Sequence, residues 1–251
     1  MSTAQEKWEY FGENDPYWAV STYDKFKSEQ IGDSAKIEFF QSGEVQIEGV
    51  WGQILRHFDV NFSPNNALDF GCGVGRLVFP LASRAETVYG VDISRSMLVE
   101  AQANAEKKGI SNVIFQQTEE FLSATEPRFD LLHSSIVFQH IEPNVGLEIL
   151  KKMLDRLNPD GIGVLQFTYK NPSSTIERLR FAAYRDLPFV YRLRNLVKGQ
   201  KNEPLMPMYV YDLTEVLSLI RTNNCDECLM SFSDHGFYGA TIYFQKKNTS
   251  V

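Results

Sequence analysis

The densest concentration of potential chemistry lies in residues 67–76, which read A-L-D-F-G-C-G-V-G-R. A short apolar run carries Asp69, and Gly71, Gly73 and Gly75 then alternate with other residues. A buried strand that opens through a glycine loop into a helix presents backbone N–H groups to a ligand, and glycine lets the main chain approach it closely. The spacing here is G-x-G-x-G. Dinucleotide sites use G-x-G-x-x-G, with the third glycine inside the helix. Residues 88–94, V-Y-G-V-D-I-S, read as the next strand and close on Asp92, 17 residues after Gly75, close to the separation that a β-α-β unit needs. A carboxylate at that strand end offers acceptors to two hydroxyl donors, so it suits a vicinal diol.

Asp69 followed by this glycine spacing resembles motif I of the class I S-adenosylmethionine (SAM)-dependent methyltransferases. Three further stretches are similar to that family in the same order: residues 112–119 (N-V-I-F-Q-Q-T-E), 129–141 (F-D-L-L-H-S-S-I-V-F-Q-H-I, like motif IV) and 157–167 (L-N-P-D-G-I-G-V-L-Q-F). The resemblance implies an α/β, Rossmann-like fold: a mainly parallel seven-stranded sheet with helices on both faces and a C-terminal antiparallel strand. It implies SAM as the cofactor. Gly71, Cys72, Gly73 and Gly75, followed by Arg76, would place backbone beside the methionyl part, with Cys72 a small residue that fits rather than a nucleophile. Asp69 would anchor this end directly or through loop or water. Asp92 would hold the ribose hydroxyls, with Ile93 against adenine. Met97 either packs on the adenine or joins the core. Thr118 and Glu119 would approach the adenine edge, Glu119 being otherwise a solvated loop carboxylate. Ser134 and Ser135 end the fourth strand, where backbone carbonyls meet the methionyl amine in that family.

Displacement at a sulfonium methyl needs alignment above all. An alcohol or phenol acceptor must also lose a proton, and a general base helps. An amine need only be neutral and aligned. His140 follows the fourth strand, near the expected acceptor, and imidazole titrates close to neutrality. It is the candidate base, or else a ring that supports the local turn. His235, in a C-terminal hairpin loop, is the second candidate. His57 reads as a helix-surface residue and His133 as a structural one. No N-P-P-Y-type motif occurs, which argues against adenine- and glutamine-methylating branches. The resulting expectation is methylation of a small molecule, at oxygen on the strength of His140. The alternatives are N-methylation of a small amine and a non-catalytic SAM-fold binding protein. The glycine spacing disfavours a nicotinamide-dependent oxidoreductase.

The rest of the chain must position these groups. Of 251 residues, 43% are hydrophobic, enough for a full core. No 18-residue apolar run occurs, and the first residues lack a basic-then-apolar leader, so a soluble cytoplasmic protein is expected. The formal net charge of −7 argues against binding a phosphate backbone through bulk charge. Arg178, Arg180, Arg185, Arg192, Arg194, Lys198 and Lys201 form a local basic run, read as a solvated helical face. The lone Cys225-x-x-Cys228 lacks the four ligands of a structural zinc site, and no metal is assigned.

Four segments are expected. Residues 1–60 form an N-terminal helical arm or lid, with Ile47, Val50, Trp51, Ile54, Leu55 and Phe58 at helical spacing. Trp8, Tyr17 and Trp18 either line that lid, touching the acceptor, or pack the arm onto the body. Residues 61–168 form the SAM-binding core, including a helix over 76–84. Another helix runs over 95–108, with Ser94 as N-cap and Gly109 as C-cap. Residues 169–209, which carry Pro172, Pro188, Pro204 and Pro207, form an inserted cap. Residues 210–251 supply a helix and a strand pair that complete the core.

Overall fold

The computed structural model describes residues 3–197 and 203–248; Lys198 and Lys201 of the basic run lie outside the described residues. Three helices come first: α1 (Thr3–Asn14), α2 (Pro16–Val20) and α3 (Asp33–His57). Strands and helices then alternate through β1 (Asn66–Phe70), α4 (Val78–Ala82), β2 (Thr87–Asp92), α5 (Arg95–Lys108), β3 (Val113–Gln117), α6 (Thr118–Ser123), β4 (Phe129–Ser134), α7 (Pro143–Asp155) and β5 (Leu157–Lys170). The chain continues through α8 (Thr175–Asp186), α9 (Pro188–Val197), α10 (Leu213–Thr222), β6 (Glu227–Asp234) and β7 (Tyr238–Gln245).

The seven strands form one sheet in the order β3-β2-β1-β4-β5-β7-β6. β7 runs antiparallel to both of its neighbours, and the other pairs from β3 to β5 are parallel. The order reverses between β1 and β4, so the loops leaving these strands diverge and open a crevice at their carboxyl ends. Both sheet faces are covered, and the central strands accordingly carry buried apolar runs: Ala67, Leu68, Leu131 and Leu132 have no exposed surface. α3, α4 and α5 cover one face, with Phe39, Ile47, Ile54 and Val78 fully buried. α6, α7 and α10 cover the other, around Phe121, Leu150, Leu154 and Val216.

Local sequence sets the element ends. Ser94 Oγ accepts from the Met97 N–H, and Gly109 ends α5 at φ 67°, as the sequence predicts. The helix behind the glycine loop is shorter than predicted, Val78–Ala82, because Pro80 removes an N–H from its ladder. Residues 118–119 also differ from expectation: they open α6 instead of continuing an exit loop. Glu119 and Glu120 in its first turn are favourable to the helix dipole. On α3, Gly43 lies where a Cβ would come within 2.2 Å of the Arg76 carbonyl oxygen, so this helix docks directly on the glycine loop.

Candidate functional site

β1 delivers Asp69 and then turns sharply: Gly71, Gly73 and Gly75 have φ of 78°, 52° and 91°. Side chains other than glycine avoid this region. Space is closed as well. A Cβ on Gly71 would meet Val137 at 2.2 Å, and one on Gly73 would meet Val20 at 2.5 Å. β2 brings Asp92 alongside. One of its oxygens accepts from Gly73 N at 2.9 Å and the other from Ser94 N at 2.9 Å. Burial is the largest influence on this carboxyl and pushes its pKa up to about 6. Cys72 is buried beneath the loop, and desolvation pushes its thiol well above the usual range, which fits a packing role.

Asp69 does not face the loop freely. Its Oδ1 lies 2.7 Å from His133 Nδ1, with both side chains almost wholly buried. His133 is the partner that sequence reasoning missed. Its signal was registration: β1 and β4 are neighbours, and Asp69 pairs with His133 across them. Ser134 Oγ donates to the Phe70 carbonyl, and Ser135 Oγ donates to Gln166 and accepts from Gln46 Nε2. Arg76 reaches the same place from the loop, donating to Gln46 and Ser42, while its Nε is buried without a partner. Beside these residues opens a cavity of about 370 Å³, lined among others by Gln46, His133, Ser134, Ser135 and Gln166.

Ile93 is half-buried next to Asp92, and Thr118 is half-buried at the start of α6. Glu119 is exposed there. Met97 is buried in the core on the α3–α5 face, which favours the packing alternative.

The N-terminal helices lie across this crevice. Glu9 of α1 accepts from Ser94 Oγ at 2.9 Å and from Ser96 Oγ at 2.5 Å. Tyr17 is buried, with its hydroxyl donating to Glu100 at 2.5 Å and 3.0 Å from Asn104 Oδ1. Asn104 in turn donates to the Val74 carbonyl of the glycine loop. This favours the second alternative for Tyr17, packing of the arm onto the body: its side-chain hydroxyl is committed to α5. Trp18 packs on Phe11 and under the Lys27 ammonium. Trp8 meets the His140 ring edge-on at 5.1 Å.

His140 takes the second of its two alternatives, a ring that supports the local turn. Its Nδ1 lies 2.7 Å from the Pro207 carbonyl, and its Nε2 lies 3.1 Å from Gln139 Nε2. A ring donating from Nδ1 and accepting at Nε2 satisfies both contacts as the neutral tautomer. Burial pushes its pKa down to about 4. Such a ring is a poor proton acceptor at neutral pH and holds the loop after β4 to the segment around Pro207. His235, exposed at the hairpin tip, lies within hydrogen-bond reach of Gln139 Oε1 at 3.0 Å, so it joins the same network. Gln139, unmarked in the sequence, is the hub: Thr168 Oγ1 also donates to it, and its carbonyl accepts from Tyr209 N.

Residues 67–161 match a family model described as a methyltransferase domain. That segment is a methyltransferase domain. Among curated relatives, the ubiquinone biosynthesis O-methyltransferase of Dinoroseobacter shibae is 33% identical over 134 residues, 51% of this chain and 51% of that protein. The same-named protein of Azorhizobium caulinodans is 36% identical over 98 residues, 39% of this chain and 38% of its own. The chain thus spans about half or less of the length of these relatives. Among solved structures, the magnesium protoporphyrin IX methyltransferase of Synechocystis PCC 6803 with bound SAH (S-adenosylhomocysteine) superposes with a TM-score of 0.63 at 18% identity. That match covers 97% of this chain and 98% of that one. The N-methyltransferase NodS of Bradyrhizobium japonicum gives 0.59 at 14% identity, over 98% and 100%. At these identities the superpositions speak for the fold, which this chain shares over nearly its whole length.

SAM fits the residues present. The Asp92 carboxylate has about four acceptor positions and spends two on backbone N–H groups, which leaves room for a diol. The unpartnered Arg76 Nε is a buried cationic donor of the kind a carboxylate satisfies.

Proposed function

We propose that this protein transfers the methyl group of SAM to an oxygen of a small-molecule acceptor. The observation that carries the reading is the Asp92 carboxylate, fixed by Gly73 and Ser94 with acceptor positions to spare, at the crevice where β1 and β4 diverge. When bound, the cofactor supplies an electrophilic methyl group on a sulfonium. The chain's own work is to hold and align. Asp92 accepts from the ribose hydroxyls, and Ile93 and Thr118 border the adenine. Gly71–Gly75 approach the methionyl chain, Ser134 and Ser135 present carbonyls to its amine, and Arg76 meets its carboxylate. Asp69 acts through His133, keeping the end of β4 in register with the glycine loop.

In this reading residues 1–60 are an arm that closes over the cofactor, 61–168 and 210–251 build the core, and 169–209 cap the acceptor. Closure by α1 and α2 excludes water from the reacting atoms. The relatives named as O-methyltransferases, matched over about half or less of their length, support oxygen as the acceptor atom. A neutral His140 with both nitrogens hydrogen-bonded favours the second reading, an amine acceptor, which needs no base.

Calorimetric titration with SAH, using NAD as control, tests the proposal. Micromolar binding of SAH and none of NAD is expected; binding of NAD alone would overturn the cofactor assignment. With SAM present, transfer to phenols rather than to primary amines decides between oxygen and nitrogen.

A further inference from the structure

The cap contains a second cavity, of about 480 Å³, within the size range of small-molecule sites. α8 forms one wall. Ser174 and Glu177 cap each other at its start, which fixes the helix register. The residues that line the cavity from it are Arg178, Phe181, Ala182 and Arg185, spaced i, i+3, i+4 and i+7. One stripe thus carries an apolar middle with a guanidinium at each end. Opposite stand Tyr169 and Lys170 at the end of β5, Tyr209 from the segment after the cap helices, and Phe237 from the hairpin tip.

The lining holds three cations, Lys170, Arg178 and Arg185, and no carboxylate, in a chain of net charge −7. Arg185 is half-buried, with its guanidinium 5.2 Å from the centre of the Tyr209 ring. Asp186 holds its Nε and Nη2 at 2.7 and 3.0 Å from outside the lining, which orients the fork and leaves Nη1 for another partner. Arg178 donates one hydrogen bond, to Thr175. Arg178 is exposed at the rim and Arg185 half-buried, but both line the cavity, whereas Arg180 and Arg192 are exposed outside it.

The cavity adjoins the cofactor crevice through the loop after β4. Val137 packs against Gly71 at one end of that loop, and Gln139 accepts from Tyr209 N at the other. By contrast, the cavity beside Ser134 and Ser135 has no Lys or Arg in its lining.

We propose that the acceptor binds in this cavity and carries a carboxylate on an aromatic or similarly flat apolar body. The ring lies among Tyr169, Phe181, Tyr209 and Phe237, and the carboxylate meets Arg178 and Arg185. Guanidinium forks match carboxylates with paired hydrogen bonds, and anions are drawn to this local cationic field against the charge of the whole chain. This inference rests on the methyltransferase reading above.

The test is calorimetric titration of the SAH-saturated protein with 4-hydroxybenzoate, 3,4-dihydroxybenzoate and 3-(4-hydroxyphenyl)propionate, each compared with its uncharged amide. At least one acid should bind tenfold or more tightly than its amide. Arg178→Gln with Arg185→Gln should erase that preference without changing SAH affinity, and Arg178→Lys should restore part of it. If SAH binds but no acid outdoes its amide, or the preference survives the double substitution, the carboxylate assignment is overturned and the methyltransferase reading stands. If SAH itself does not bind, both fall.

Discussion

The cofactor end and the acceptor end of the crevice draw on the chain in different ways. Asp69, the three loop glycines and Asp92 all lie within residues 69–92, and backbone hydrogen bonds between adjacent strand ends join them. The proposed acceptor end assembles Gln139, His140, Thr168, Pro207 and His235 from four distant segments, through side-chain contacts. A loop that must bend at positive φ and abut a carboxylate declares itself in residue type. A network of Gln, Thr, His and carbonyl groups does not, because each of these residues is ordinary by itself.

The largest effect should come from breaking the cofactor end. Asp92→Ala removes the proposed diol contacts and strands the N–H groups of Gly73 and Ser94. Hydrogen bonds to a charged group are worth about 1.5–3 kcal/mol each, so SAH affinity should fall by about 100-fold or more while circular dichroism stays native. Asp92→Asn, which keeps one carbonyl oxygen, should lose less. The same group sets a pH dependence. Burial holds the Asp92 pKa at about 6 in the free protein, and hydroxyl donors favour the ionised form, so protonation opposes binding. SAH affinity should therefore fall as pH drops through about 6, by up to about tenfold at pH 5, and Asp92→Asn should flatten that dependence. The folding sign is opposite. A carboxyl raised above its unfolded value weakens the fold as pH rises from about 4 through 6, so binding and stability should move in contrary directions across that window.

An intermediate effect tests whether α2 closes on the loop as a lid. Gly73→Ala adds a methyl group at φ 52°, which costs about 1–2 kcal/mol in conformation alone, and drives it into Val20. Val20→Ala removes the obstacle without changing φ. In a double-mutant cycle, Val20→Ala should therefore recover the steric share of the lost stability and SAH affinity but leave the conformational share. Strict additivity would place Val20 away from the loop in solution. Tyr17→Phe probes the same closure from α5: loss of the hydroxyl's bond to Glu100 should cost about 1 kcal/mol and speed proteolysis within residues 3–32.

What the sequence made legible follows the same division. Ser94 and Gly109 bracket α5 by chemistry that works within one turn, and the alternation of apolar runs with helical spacing carries the sheet and its reversed β7. The glycine loop could be read because its positive φ and close approaches constrain residue type. Tyr17 stayed open between two roles because an aromatic in an arm gives no sign of its hydroxyl's partner, which lies 83 residues away in the sequence. His133 was taken for structure alone because its bond to Asp69 depends on the pairing of β1 with β4. Arg178 and Arg185 resembled any charged helical face until β5 and the hairpin tip supplied the opposite wall of their cavity.

The smallest effect on chemistry should come from His140, although its position made it the natural candidate for a base. Its two nitrogens are engaged by Pro207 and Gln139, and burial keeps the ring neutral down to about pH 4. His140→Ala should strand the Pro207 carbonyl and the Gln139 amide and remove the ring on which Trp8 rests, costing about 1–3 kcal/mol of stability. The methylation rate of a phenol should fall modestly, with the shape of its pH profile unchanged, because no proton passes through the ring. A base would behave differently: its removal would erase an acidic limb and leave stability nearly intact. His140→Gln, which can still donate toward Pro207, should recover most of the lost stability together with the rate. The two readings thus part on the pH profile, where a supporting ring leaves no mark.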